Sequence, residues 1–235
     1  MLRIFTDFDG PIMDVSERYY HVYQYCLQES HEPGQAIIQL SKAEFWRLKR
    51  AQVPERQIGA ISGLYEDQAR RFALLRRETV HGRDYLKHDY PVPYAVEALK
   101  QIQKLQADLA VITMRREYAL GFALEKFSLE PFFPPQMRYC LPDIYDKNHD
   151  VVEKTRLVEK ALAELPAASE TWMVGDTEAD IAAARTHDLP VVAVLSGIRD
   201  RDRLSTYGPD FIVDNLKDAV VTIAQQRQLL NRERH

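Results

Sequence analysis

The sequence predicts an α/β protein: a doubly wound parallel sheet core with an all-helical block inserted after its first strand. Two observations carry this. Beyond residue 92, short apolar runs alternate with amphipathic stretches, the pattern of a parallel sheet covered on both faces. Between residues 15 and 89 the helical period runs alone, without a convincing strand. The chain therefore divides into 1–14 plus 92–235 for the sheet core and 15–91 for the helical block.

Leu2 to Thr6 reads as a strand that Asp9-Gly10-Pro11 breaks. Segments 15–29, 41–52 and 63–79 read as helices. Tyr19, Val22, Tyr23, Cys26 and Leu27 recur at three- and four-residue spacing in the first, and Phe45, Leu48 and Ala51 in the second. Ser41 followed by Glu44 is a capping-box pattern, and Ser62-Gly63 punctuates the passage to the third helix. After Pro91-Val92-Pro93 the spacing predicts a helix over 94–105, a strand over 108–113 and a helix over 117–128. A proline-rich turn and a short strand over 137–140 follow. Then come helix 152–165, strand 171–174, helix 178–187, strands 190–195 and 211–213, and helix 216–230. There is no internal repeat.

A chain of 235 residues, 46% hydrophobic and 28% charged, can build its core without disulfide or metal staples. Cys26 and Cys140 are two reduced thiols on this reading. The net charge of −4 disfavours non-specific nucleic-acid binding. The longest apolar run, Leu189 to Leu195, is far too short for a membrane span, and the N-terminus has no signal-peptide pattern. The expectation is a cytoplasmic protein, a monomer or weak homodimer, with neither nucleic acid nor membrane as partner.

In doubly wound sheets ligands sit at the carboxyl ends of the strands. Those ends deliver Asp7-Phe8-Asp9-Gly10, then Thr113, and then Gly175-Asp176-Thr177-Glu178-Ala179-Asp180; Lys154 opens the helix before the last. Carboxylates gathered closely raise one another's pKa unless a cation sits among them, and a hard cation with oxygen ligands, Mg²⁺, resolves the repulsion. A Lys, a hydroxyl and free backbone amides suit phosphoryl oxygens. A carboxylate facing that phosphorus is a candidate nucleophile.

The order DxDG, apolar strand ending in Thr, Lys, then GDxxxD resembles the haloacid-dehalogenase-like superfamily over almost the whole chain, from Asp7 to about Asp214. The resemblance implies a Rossmann-like core and a helical cap, similar to phosphoglycolate phosphatase and beta-phosphoglucomutase-type members. It implies a Mg²⁺-dependent phosphatase that hydrolyses a small phosphorylated metabolite through an aspartyl-phosphate. A phosphomutase is the alternative. Asp9 is present, which disfavours dehalogenation.

By the same resemblance Asp7 is the nucleophile and Asp9 the general acid/base, whose backbone carbonyl also ligates the metal. Thr113 and Lys154 bind the phosphoryl group, and Asp176 is the main metal ligand. Asp180 is a second acidic member or a helix cap, two compatible roles. Gly10 lets the backbone approach the ligand, and Met114 follows the hydroxyl on the substrate side. Lys147 rivals Lys154, but Lys154 lies at the start of its helix, 22 residues before Asp176.

His81-Gly82-Arg83-Asp84 reads as a helix end, and Arg70, Arg71, Arg76 and Arg77 as a solvated helix face. The segment Lys49 to Arg56 lies between two expected helices and resembles a substrate-reading cap loop. Arg50 and Arg56 are its candidate contacts to a carboxylate or second phosphate, against the plainer reading of surface cations.

Overall fold

The computed structural model describes residues 1–144 and 149–233. In chain order its strands are β1 (Leu2–Thr6), β2 (Met13–Asp14), β3 (Tyr90–Pro91), β4 (Asp108–Arg116), β5 (Arg138–Leu141), β6 (Glu170–Gly175), β7 (Val191–Val194) and β8 (Phe211–Val213). Six of them form one sheet of order β5-β4-β1-β6-β7-β8 in which every pairing is parallel. β1 is central. The chain adds strands on its β4 side first and then returns to add β6 on the other. The strand order thus reverses beside β1, and the crevice outside its carboxyl end is where such a sheet opens to a ligand.

Side chains of β1 alternate between two cores because successive residues of a strand point to opposite faces. Leu2 and Ile4 join one, under α5 (Ala95–Lys104), α6 (Glu117–Lys126) and α10 (Leu216–Glu233). Phe5 joins the other, under α7 (Asp150–Glu164), α8 (Glu178–Thr186) and α9 (Arg201–Thr206). Both faces are covered, which is why the strands read as continuous apolar runs.

Residues 16–88 form a separate helical body of α1 (Ser16–Ser30), α2 (Lys42–Arg50), α3 (Glu55–Ile61), α4 (Glu66–Thr79) and a 3₁₀ turn at Arg83–His88. It has its own apolar cluster around Val22, Tyr23, Phe45, Ile58 and Phe72. The antiparallel pair of β2 with β3, together with Val92 N donating to Ile12 O at 2.8 Å, ties the two chain crossings into a neck. Ser41 caps α2 with the reciprocal Glu44 bond that the spacing predicts.

Two helices escape the sequence reading. α3 occupies part of what reads as a loop, so Arg56 lies on a helix. α9 is six residues long and buries only Leu204, too short to show a period. β4 also runs three residues past the expected end, to Arg116.

Candidate active site

β1 carries Asp7 and Asp9 out of the sheet at its carboxyl end. Gly10 follows at φ +89°, and a Cβ there would overlap the Asp176 carboxylate, so conformation and space both require glycine. Asp7 is 7% exposed. Its Oδ1 accepts from Phe8 N at 2.7 Å and pairs with Lys154 Nζ at 2.9 Å.

Lys154 is buried in the second turn of α7. Its Nζ also pairs with Asp180 Oδ1 at 2.9 Å and donates to Ile112 O at 2.8 Å. The rival Lys147 lies outside the described residues. Asp180 is the N3 residue of α8. Its Oδ2 accepts from Thr177 N, Thr177 Oγ1 and Asp176 N at 3.1, 2.7 and 3.2 Å. Its two oxygens thus do two jobs at once, capping a helix and holding Lys154.

Thr113 is buried on β4, where the pairing with β5 shifts register between Ile112 and Arg116. Such irregularities re-aim side chains. Thr113 and Met114 line a cleft of about 230 Å³ together with Asp7, Asp9, Lys154 and Asp176.

Asp7, Asp176 and Asp180 each place a carboxylate oxygen within 4.8 Å of the others. Burial pushes the Asp7 carboxyl up to about 7; Lys154 opposes this, and Asp180 and Asp9 add to it. Burial, then Asp7 and Asp180, raise Asp176 well above the usual carboxylate range. Burial disfavours charge on Lys154, but Asp180 and Asp7 hold it above the usual ammonium range. One ammonium is too little positive charge for this group. Asp176 accepts from Ile198 N at 2.6 Å through Oδ2, while its buried Oδ1 has no hydrogen-bond partner among the described residues. An orphaned carboxylate oxygen, all-oxygen donors and surplus negative charge fit a hard divalent cation.

Gly197, after β7, escapes the sequence reading. A Cβ at 197 would fall inside the Asp176 carboxylate. Gly197→Ala should therefore displace Asp176 and weaken divalent-cation binding about tenfold or more, as lost support for a ligating carboxylate does. Calorimetric titration with Mg²⁺ checks this; an unchanged affinity would mean that the loop yields instead.

Asp9 lies apart from the other carboxylates. Arg18 of α1 donates to its Oδ2 at 3.0 Å, and Arg115 of β4 to its Oδ1 at 2.5 Å. Burial favours a raised Asp9 carboxyl, but Arg115 and Arg18 outweigh it and hold it at about 2. Both arginines also pair with buried Asp89, at 3.0 Å from Arg18 and 2.6 Å from Arg115. The result is two cations and two anions where the helical body meets the sheet.

The two arginines expected to read substrate do other things. Arg50 Nη2 donates to Leu195 O at 2.9 Å and Arg199 O at 3.2 Å, so it fastens the helical body to the sheet loops. Arg56 is half exposed on α3 and pairs with Glu66. Neither borders the cleft. Its lining on that side is Tyr19, Lys49, Arg76 and His81, with Arg199 from the core. Arg76 is no part of a solvated face: its side chain is only 14% exposed. The signal was present in the period, since Ala69, Phe72, Arg76 and Val80 fall on one side of α4. His81 likewise borders the cleft rather than a plain surface.

A hydrolase family described as HAD-hydrolase-like matches residues 154–219, from Lys154 through the Asp176 turn. The pyrophosphatase PpaX of Anoxybacillus flavithermus is 29% identical over 145 residues, 60% of this chain and 65% of that one. The PpaX of Oceanobacillus iheyensis is 25% identical over 133 residues, 56% of this chain and 59% of that one. The chain thus spans about three fifths of the length of these curated relatives. A haloacid-dehalogenase-like family protein from Streptococcus pneumoniae superposes with a TM-score of 0.67 at 17% identity, over 94% of this chain and 97% of its own. At that identity the likeness is one of fold.

Proposed function

We propose that this chain is a phosphatase of the haloacid-dehalogenase-like superfamily that hydrolyses a small phosphorylated metabolite with Mg²⁺ as its cofactor. The observation that carries the reading is the meeting of Asp7, Asp176 and Asp180 with Lys154 at the point where the strand order reverses. Thr113, Met114 and Arg115 of the β4 end border the space where a phosphoryl group would sit. The helical body acts as the cap, and its neck at β2 and β3 as the hinge.

Both polar contacts of the Asp7 carboxylate among the described residues fall on Oδ1, which leaves Oδ2 for in-line attack on phosphorus. The bond to the leaving oxygen breaks as that oxygen takes a proton from Asp9. Water then attacks the aspartyl-phosphate, Asp9 takes up the proton, and free phosphate and Asp7 are restored. Lys154 offsets the charge of Asp7 and of the phosphoryl oxygens, and Thr113 Oγ1 holds one of those oxygens. Bound between Asp7, Asp176 and the Asp9 carbonyl, Mg²⁺ would neutralise the phosphoryl oxygens and the carboxylates. Asp9 can act as an acid only when it is freed from Arg18 and Arg115. Burial then raises its carboxyl, opposed only by the weaker pull of His81. Arg18 belongs to the cap, whereas Arg115 shares the core with Asp9, so a movement of the cap would withdraw Arg18 and a turn of the Arg115 side chain would complete the release.

The test is phosphate release at millimolar Mg²⁺ from p-nitrophenyl phosphate, inorganic pyrophosphate (the substrate that the PpaX relatives' name gives) and a panel of phosphorylated metabolites. Release from at least one is expected. Interconversion of a sugar phosphate without release would make the chain a mutase, and no turnover of any kind would reject the reading.

A further inference from the structure

The cleft ends, on the cap side, in two cations that the phosphoryl chemistry does not use. Lys49 of α2 and Arg76 of α4 border the same space as Asp7, Thr113 and Lys154. Their side chains are 11% and 14% exposed. Both turn to one anion, Glu55 of α3, whose side chain is 17% exposed. Lys49 Nζ pairs with Glu55 Oε1, and Arg76 Nε lies 3.2 Å from that same oxygen. Two nearly buried cations thus share one carboxylate oxygen.

The hydrogen bonding is incomplete as well. Arg76 Nε and Nη2 and Glu55 Oε2 are buried without a hydrogen-bond partner among the described residues. The Tyr19 ring lies 4.6 Å from the Arg76 guanidinium and 6.0 Å from Lys49 Nζ, and a π face compensates only part of a buried charge. Arg199 borders the cleft too, but it is matched by Glu178 through two bonds of 2.8 Å. Glu178 is therefore spent on Arg199 and supplies no second anion to Lys49 and Arg76. Burial, and then Arg76, lower the Lys49 ammonium to about 8 against the pull of Glu55, so the excess charge is felt at Lys49. A buried cation without its full complement of anions is costly, and an anion arriving from the cleft would complete the set.

The cleft is small. Its volume of about 230 Å³ is below the range of roughly 300–1,000 Å³ that holds drug-sized ligands. That size suits a compound of a few heavy atoms carrying charge at both ends.

We propose that Lys49 and Arg76 form a distal anion subsite, so that the substrate is a small phosphate compound with a second anionic group, carboxylate or phosphate, at its other end. This rests on the reading of Asp7 as the phosphoryl acceptor. It moves substrate recognition away from Arg50 and Arg56, which are engaged with carbonyls and with Glu66.

The experiment compares kcat/KM for two doubly anionic probes, inorganic pyrophosphate and 2-phospholactate, with that for glycerol 1-phosphate, whose far end is neutral. Wild type is set beside Arg76→Met and Lys49→Met, either of which suffices if the other fails to fold by circular dichroism. Removing one charged partner should lower the ratio of doubly to singly anionic substrate about tenfold or more, mostly through KM. The probe whose ratio falls further identifies the second anion as phosphate or carboxylate. Equal losses on all three probes would overturn the subsite and leave the phosphatase reading in place. Calorimetric binding of both doubly anionic probes to the Asp7→Asn chain separates the remaining outcomes. Binding that weakens with Arg76→Met, in a chain whose wild type hydrolyses nothing, would uphold the subsite and reject the phosphatase. No preference for doubly anionic probes in binding or turnover would reject the subsite outright.

Discussion

Asp7→Asn is expected to lower kcat by roughly 10⁴-fold or more while leaving the chain folded. The loss follows from chemistry: an amide oxygen is a poor nucleophile, and residues that act as a unit lose nearly everything when the nucleophile goes. Retention of the fold follows from the charges around it. Asp7 is pushed up to about 7 by burial and by neighbouring Asp180 and Asp9, so removing its charge relieves repulsion in a buried place. Asn is nearly isosteric, and its oxygen can still accept from Phe8 N. Lys154 keeps Asp180 and the Ile112 carbonyl. The melting temperature at pH 8 should therefore be no lower than that of wild type. Turnover within tenfold of wild type would remove Asp7 as the nucleophile, and a fall of Tm by more than about 5 °C would show its charge to be structural.

What could be read in the sequence follows from where the information lies. The strand-end carboxylates were legible because β1 and β6 are short apolar runs, each broken by a glycine turn that presents an acid. Lys154 was legible by its distance from Asp176, and the structure adds what distance cannot give, a bond from one Nζ to two carboxylates. The cap side was less legible. Arg18 follows the same rule as Arg76, lying three residues after Val15 and four before Val22 on the buried side of α1. A helical wheel treats both as breaks in an apolar stripe, because the period reveals which face is covered and not what covers it. Here the cover is a neighbouring acid, Asp89 or Glu55, more than 20 residues away for each arginine. Asp89 was not legible at all, since nothing local marks a lone acid in a loop as buried. Gly197 was missed for a similar reason: its constraint is the Asp176 carboxylate on the next strand, not its own backbone.

Removing divalent cations should make stability fall as the pH rises, and restoring Mg²⁺ should abolish most of that fall. Asp7 titrates at about 7 in the folded chain against 3.8 for a free side chain, and Asp176 is displaced in the same direction. A raised carboxylate means that the folded state binds more protons than the unfolded state. Its contribution is complete below about pH 4 and is lost as the pH climbs through 7. For Asp7 alone the loss by pH 8 is on the order of a few kcal/mol. Asp9 has the opposite sign, because a carboxyl held at about 2 stabilises the chain above pH 4 and fails only in stronger acid. It is constant over the window from pH 5 to pH 8 and cannot mask the effect. A divalent cation competes with the protons for the same oxygens, so it should stabilise the chain little at pH 5 and strongly at pH 8. Saturation at about a hundred times the dissociation constant contributes about 2.7 kcal/mol, which for a chain of this length is a rise in Tm of roughly 5–10 °C. Melting curves at pH 5 and pH 8, in chelator and in millimolar Mg²⁺, decide the matter. An equal shift at both pH values would mean that the cation binds elsewhere, and no shift at pH 8 would mean that Lys154 alone balances the three carboxylates.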